Sequence, residues 1–130
     1  MTAFLDTNVL IYAQSADAKA DAAREAIFAG GVISAQVLNE FAAVLRRKFR
    51  RDWPAIAAAV ADLRAALDPV RPIGVETHEA ALVLAQDNGF GFYDALIVAS
   101  ALEAGCDLLL TEDLQAGRRI GSLVIVNPFA

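Results

Sequence analysis

The chain has 130 residues, of which 57% are hydrophobic and 21% are charged. This composition excludes an intrinsically disordered chain, and the length fits one folded domain spanning residues 1–130. A lone cysteine, Cys106, excludes an internal disulfide framework, and no uncharged apolar run approaches the ~20 residues of a membrane-spanning helix. Because no secretory signal is visible at the amino terminus, we expect a cytoplasmic protein.

The net charge is −5 and the isoelectric point is about 4.7. Taken alone, this acidity argues against a nucleic-acid partner, because phosphate binding usually depends on clustered lysine and arginine. The objection weakens where carboxylates converge on a bound cation, which reverses the local charge. The placement of the acidic residues therefore matters more than their number.

The first half of the chain alternates short apolar stretches with helical patterns. A strand is predicted at residues 3–6, and a helix begins soon after it, at residue 9. The next helix, over residues 17–29, ends at two glycines and is followed by a strand at 32–33. The remaining helices of this half span residues 35–49, with Ser34 as the cap, and 55–67, with Pro54 in the first turn.

The second half continues the same alternation. A strand at residues 70–73 is predicted at a sheet edge because of the prolines at 69 and 72. Helices follow over residues 76–87 and 94–104, and buried strands over 107–110 and 123–126. The whole pattern predicts an α/β fold, a three-layer sandwich with a mainly parallel sheet of about five strands.

Four acidic residues are predicted to meet at one edge of this sheet. Asp6 and Asp113 follow the carboxyl ends of predicted strands, the edge at which open α/β sheets bind ligands. Asp94 begins a helix at the same kind of edge, and Glu40 lies on the helix after the second strand. Each has a structural alternative: a helix cap for Asp94, a turn residue for Asp6 and Asp113, a solvent-reaching side chain for Glu40. Together, the four would repel one another unless a cation neutralised them.

Such a cluster suits Mg²⁺ or Mn²⁺, which prefer oxygen ligands and can activate water and stabilise charge on a scissile phosphate. Our hypothesis is therefore metal-assisted hydrolysis of a phosphodiester. No other catalyst is evident, since the one histidine, His78, is predicted on an exposed helix surface and Cys106 is predicted to pack beside a strand. The glycine–lysine signature of a nucleotide-binding loop is absent from the sequence.

The ordered set of motifs resembles the PIN-domain nucleases, and most of all the VapC-type toxins of bacterial toxin–antitoxin pairs. The motifs are Phe-Leu-Asp-Thr-Asn-Val-Leu at residues 4–10, Glu40 on the third helix, Phe-Tyr-Asp-Ala-Leu-Ile at 92–97 and Leu-Thr-Glu-Asp-Leu at 110–114. The ending Val-Ile-Val-Asn-Pro-Phe at 124–129 is similar to the tail of one PIN subgroup. The resemblance implies a parallel sheet with helices on both faces, dependence on Mg²⁺ or Mn²⁺, and cleavage of RNA.

The resemblance also implies roles for individual residues. It makes Asp6 and Asp94 the main metal ligands, Asp113 a direct or water-mediated ligand, and Glu40 a residue that binds or orients the attacking water. Its supporting residues, which would fix the carboxylates, are Thr7, Asn8 and Thr111. The side chain of Glu112, beside Asp113, is expected to point away.

Two kinds of protein partner are expected, the first from the resemblance and the second from the amphipathic helices. A cognate antitoxin is implied, and antitoxins of this kind often place an arginine near the acidic cluster. A homodimer would suit exposed apolar residues on the amphipathic helices, although a core-facing stripe has the same pattern.

The densest basic run lies at the end of the Glu40 helix and is equally compatible with RNA-backbone contact and with a solvated helix terminus. Its members are Arg46, Arg47, Lys48, Arg50 and Arg51, and Arg118 with Arg119 forms a second candidate pair.

Two alternatives remain open at this point. A phosphatase of the haloacid dehalogenase kind also uses strand-end aspartates and Mg²⁺, but it needs a second aspartate at position 8, which is Asn. A non-catalytic module could use the acidic pocket only to dock a basic partner. This second alternative predicts little dependence on Mg²⁺.

Overall fold

The structure, a computed structural model, describes residues 2–130. Its helices are α1 (Thr7–Ala13), α2 (Ala20–Phe28), α3 (Ala35–Arg47), α4 (Trp53–Ala66), α5 (Val75–Asn88) and α6 (Phe92–Glu103). Its strands are β1 (Ala3–Leu5), β2 (Leu108–Leu110), β3 (Arg119–Ile120) and β4 (Leu123–Val126). The α/β class predicted from the sequence is confirmed.

The four strands form one sheet in the order β1-β2-β4-β3. The pairs β1–β2 and β2–β4 are parallel, whereas β3 runs antiparallel to β4. Leu5 pairs with Leu110, and Leu110 pairs with Val126, so the three parallel strands end at the same level. The residues that follow β1 and β2 therefore leave the sheet side by side.

The prediction of about five strands was slightly too high. The predicted strands at 32–33 and 70–73 reduce to single bridges, Phe4 with Val32 and Ser34 with Arg71. Prolines at 69 and 72 lack the N–H groups that would extend the second of these ladders. The short hairpin strand β3 was not predicted, because two residues carry too little pattern to be recognised.

The two helices next to Asp6 and Asp94 begin earlier than predicted. Helix α1 begins at Thr7 instead of residue 9, because the Asp6 side chain accepts a hydrogen bond from the Thr7 N–H and so caps the helix. Helix α6 begins at Phe92 instead of Asp94, with Gly91 in the capping position. Asp94 consequently lies inside the first turn of its helix.

The main core fixes the elements around the sheet edge. Its largest fully buried side chains come from β1, α1, α3, β2 and β4 and include Phe4, Leu5, Leu10, Phe41, Leu45, Leu109 and Ile125. A second, smaller cluster joins α5 to α6 through Ala81, Ala95, Leu96 and Ala99. In the part of the chain that the structure describes, no helix has the length and apolarity to cross a bilayer.

Gly31 allows the next residue, Val32, to pair directly alongside β1. The Val32 N–H donates to the carbonyl oxygen of Ala3 at 2.9 Å, and the Leu5 N–H donates to that of Val32 at 3.0 Å. A Cβ atom at Gly31, where φ is +151°, would lie 2.5 Å from Leu5 Cδ1 and 2.7 Å from the Ala3 oxygen. Only glycine fits this contact without displacing the strand that ends at Asp6.

Gly31→Ala should therefore lower the free energy of unfolding by about 3 kcal/mol or more, since backbone strain and overpacking add. Gly89→Ala is the matched control, because Gly89 has φ +72° and no neighbouring atom within 4 Å of the added carbon. That control should cost only about 1–2 kcal/mol. Urea denaturation measures both, and equal losses would contradict the steric argument.

Candidate functional site

Asp6 is the buried centre of the candidate site. It follows β1 directly, caps α1 and is only 5% exposed. The Thr7 N–H donates to its Oδ1 at 2.7 Å, and the Thr111 hydroxyl donates to its Oδ2 at 2.8 Å. Both carboxylate oxygens are thus held by neighbouring groups at the ends of β1 and β2.

The environment makes Asp6 hard to ionise. Burial is the largest cause and raises its pKa from 3.8 to about 6. The hydrogen bonds from Thr111 and Thr7 act in the opposite direction, while the negative charges of Asp113 and Glu40 raise the pKa further. Asp6 therefore lies close enough to both acids for their charges to interact.

Asn8 links Asp113 to the same centre. Its side-chain amide donates to Asp113 Oδ2 at 2.9 Å and to Thr111 Oγ1 at 3.2 Å. The Asp113 N–H also donates to Thr111 Oγ1, at 3.1 Å. The Oδ1 atom of Asn8 is buried and has no hydrogen-bond partner among the described residues. One acceptor beside the acids is consequently unsatisfied.

Glu40 approaches from α3. The Thr7 hydroxyl donates to its Oε2 at 3.4 Å, and the Gln36 side-chain amide donates to its Oε1 at 3.3 Å. Glu40 also lines a recess of about 400 Å³ together with Thr7, Asn8, Asp113 and Lys48, which we call the acidic recess. These contacts differ from those of a glutamate side chain that only extends into solvent.

Asp94 completes the set of four. It makes no capping hydrogen bond, so the alternative role of helix cap is wrong. Burial raises the pKa of Asp94, and the charge of Asp113 raises it further. Through Asp113, Asp94 therefore belongs to the same electrostatic cluster as Asp6 and Glu40.

The four acids have no ion-pair partner in the part of the chain that the structure describes. The ion pairs of residues 2–130 are Lys19–Glu112 and Arg24–Asp21, and neither includes a member of the cluster. Nor do any three Asp, Glu, His or Cys side chains of these residues lie close enough together to hold a metal ion by themselves. The arrangement is an open group of oxygens whose negative charge is not compensated by a side chain.

Glu112 points away from the cluster, as expected. It pairs with Lys19 Nζ at 2.7 Å and accepts a hydrogen bond from the Tyr12 hydroxyl at 2.7 Å. Lys19, followed by Tyr12, lowers the pKa of Glu112. Tyr12 also packs edge-on against Phe129, with ring centroids 5.0 Å apart. This network, which we did not predict, ties the loop after β2 to α1 and the carboxyl terminus.

The candidate RNA-binding cations fall into two groups. Arg46 lies over the Trp53 ring, and Arg51 donates to the Gln14 side chain and packs on Phe49. Likewise, Arg118 packs on Phe90 and donates to Asn88, so these three arginines have structural contacts. Arg50 follows α3 with a left-handed backbone conformation, at φ +53°, and Arg119 lies in β3.

Arg47 and Lys48, in contrast, are exposed and line recesses that also contain Glu40. They are the members of the basic run that lie beside the acidic cluster. Of the residues we set aside, His78 is exposed against Phe92 and Cys106 is buried, in agreement with the sequence.

The raised pKa of Asp6 predicts an unusual dependence of stability on pH. Between pH 4 and 6 the folded protein binds a proton at Asp6 more tightly than the unfolded chain does, so this residue makes stability fall as the pH rises through that window. The loss should amount to about 3 kcal/mol at neutral pH without metal.

Asp6→Asn should remove this penalty. In urea denaturation with EDTA, the variant should be more stable than wild type at pH 7.5 but not at pH 4. Asp62→Asn, on the exposed surface of α4, is the control and should follow wild type at both values. An unchanged pH profile in Asp6→Asn would show that the pKa of this carboxyl is ordinary.

Comparison with known proteins agrees with this geometry. The family model of the PIN domain matches residues 3–120. Among solved structures, a toxin–antitoxin complex from Klebsiella pneumoniae has a TM-score of 0.73 at 23% identity, covering 98% of both chains. No curated protein matched the sequence.

Two further structures are similar. VapC20 of Mycobacterium tuberculosis, described as a sarcin-ricin loop cleaving toxin, has a TM-score of 0.65 at 25% identity, covering 83% of this chain and 87% of its own. VapBC2 of Rickettsia felis, bound to a promoter DNA fragment, has a TM-score of 0.69 at 19% identity, covering 96% and 97%. With the family model matching nearly the whole chain, the protein belongs to the PIN-domain family of nucleases.

Proposed function

We propose that this protein is a metal-dependent endoribonuclease, the toxin of a toxin–antitoxin pair, formed by one nuclease domain. The observation that carries the proposal is the cluster of four acids from separate elements at one sheet edge, which form no ion pair with any side chain of residues 2–130. Membership of the PIN family and the similarity to VapC20 support the same function.

The residues present fit a hard divalent cation. Asp6, Asp94 and Asp113 would hold Mg²⁺ or Mn²⁺ through oxygen atoms, the donors that these ions prefer. The raised pKa of Asp6 indicates a carboxylate that needs a positive neighbour. Within residues 2–130, the buried Asn8 Oδ1 remains without a hydrogen-bond partner beside these acids. An incomplete protein ligand set suits Mg²⁺, which commonly uses one or two carboxylates and keeps several waters.

A bound cation would supply activation of water, orientation of the scissile phosphate and neutralisation of developing charge. The chain's own residues would position these partners. Glu40, fixed by Thr7 and Gln36, would orient the attacking water and accept its proton. Asn8 and Thr111 would hold the carboxylates of Asp113 and Asp6 in place.

The partners follow from the same site. Arg47 and Lys48 would contact the RNA backbone beside Glu40, and an arginine of a cognate antitoxin would neutralise the acids. Helix α5 presents exposed apolar side chains on one face, and this face would suit a homodimer. The side chains are those of Val75, Leu82 and Val83. We place the reaction in the cytoplasm, where a toxin meets its RNA target.

Neighbouring acids give a sharp test of the catalytic assignment. Asp6→Asn, Asp94→Asn and Asp113→Asn should each reduce RNA cleavage by roughly 100-fold or more, a larger effect than loss of a residue outside the ligand set. Glu112→Gln is the matched control and should cleave within a few-fold of wild type, since Glu112 faces Lys19. Cleavage of a labelled RNA by gel assay measures all four.

EDTA should abolish cleavage, and Mg²⁺ or Mn²⁺ should restore it. RNA cleavage at the wild-type rate by Asp6→Asn or Asp94→Asn would refute the assignment of the catalytic residues. Hydrolysis of phosphomonoesters without RNA cleavage would favour a phosphatase of the haloacid dehalogenase kind. Binding of a basic partner with neither activity would favour the non-catalytic module.

Metal binding itself can be tested without the reaction. A cation at 100 times its Kd stabilises the folded state by about 2.7 kcal/mol, so Mn²⁺ should raise the Tm of wild type by several degrees. Asp6→Asn should lose most of this shift, whereas Asp62→Asn should keep it. An equal rise in Tm in both variants would show that the ion binds elsewhere.

A further inference from the structure

A second recess shares Glu40 with the acidic recess and contains Tyr93, a residue without a role in the scheme above. It is lined by Gln36, Glu40, Ala43, Val44, Arg47 and Tyr93, and its volume is about 290 Å³. We propose that this Tyr93 recess binds an unpaired nucleobase of the RNA substrate, with Tyr93 as the stacking surface and Arg47 as the contact to an adjacent phosphate. The inference rests on the proposed nuclease function.

Tyr93 has the features of a stacking surface. Its side chain is 62% exposed, although it directly precedes Asp94 in the first turn of α6. Its ring packs edge-on against Phe92, with centroids 5.6 Å apart, and Phe92 in turn contacts His78 at 5.3 Å. The contact with Phe92 restricts the Tyr93 ring, so less side-chain freedom is lost when a base stacks on it.

Arg47 supplies the positive charge that a phosphate contact requires. It lies on one stripe of α3 with Gln36, Glu40 and Ala43, at the three- and four-residue spacing of a helix face. It forms no ion pair with any residue between 2 and 130, whereas Arg46 is held on Trp53. Arg47 is therefore available for a phosphate.

The two recesses adjoin each other at α3. Glu40 and Val44 line both of them, and Lys48 lies at the acidic recess one residue after Arg47. An RNA strand with its scissile phosphate at the acids would therefore carry a neighbouring nucleotide over Glu40 into the Tyr93 recess. Only an unpaired base can reach such a ring, so the substrate would be single-stranded at this position.

A protein partner is the other possible occupant, but the charge does not favour it. The antitoxin expected for this site brings arginine to the acids, and Arg47 would repel a basic segment in the Tyr93 recess. RNA carries the complementary charge together with aromatic bases.

Binding can be measured in an Asp6→Asn background, which should not cleave. The probe is a fluorescein-labelled, mixed-sequence, 12-nucleotide single-stranded RNA, followed by anisotropy. Tyr93→Ala should weaken binding about tenfold or more, and Tyr93→Phe should retain it. Arg47→Ala should weaken binding and lower the slope of log K against log salt by about 0.7.

Phe28→Ala and Arg64→Ala are the matched controls, since these residues are exposed on α2 and α4. Both should bind RNA as the parent protein does. A second readout needs no substitution of Tyr93: the chain has two tyrosines, so fluorotyrosine labelling gives two ¹⁹F resonances. The resonance that is lost in Tyr93→Phe should shift on addition of the RNA.

The outcomes separate the two proposals. Absence of RNA cleavage by wild type would refute the nuclease function itself. If wild type cleaves RNA, either of two results would overturn the base subsite alone. One is a Tyr93 resonance that does not shift when RNA binds. The other is a Tyr93→Ala variant that binds RNA with the affinity of the parent protein. Loss of antitoxin binding in Tyr93→Ala, with RNA binding unchanged, would assign the recess to the protein partner and overturn it as well.

Discussion

The burial of an aspartate among other acids is the constraint around which the site is organised. Asp6 is nearly inaccessible, yet Asp113 and Glu40 add negative charge next to it. Its two hydrogen bonds fix its direction but do not offset the cost of burial, because its pKa remains raised to about 6. A protein selected for stability alone would place a neutral residue here, so this position indicates a requirement for charge.

Sheet topology explains how such distant residues meet. The parallel pairing of β1 with β2 places Leu5 opposite Leu110, which brings Thr111 to Asp6 and Asp113 to Asn8 across 105 positions of sequence. These contacts depend on the core beneath them, where β1 and β2 bury Phe4 and Leu109. The site is consequently as rigid as the sheet that supports it, a property that ligand positioning requires.

Features with a local cause could be predicted from the sequence, and features with a distant cause could not. The four acids and their elements follow from apolar spacing and from the rule that strands end at a common edge. The difference between Arg46 and Arg47 has no local signal, because it depends on where Trp53 lies after the next turn. Tyr93 was overlooked for a related reason: it is uncharged, and its position beside α3 is visible only once α6 is placed.

The arrangement also reconciles the proposed RNA binding with a net charge of −5. Charge acts locally, since screening limits its reach to about 10 Å at moderate ionic strength. A cation among the acids would leave Arg47 and Lys48 as the uncompensated charges beside Glu40, so occupancy of the metal site and affinity for RNA should rise together. An antitoxin arginine placed at the same acids would compete with the cation for one set of oxygens. On the proposed function, the uncompensated cluster would therefore accept either a catalytic ion or an inhibitory side chain, and the two would exclude each other.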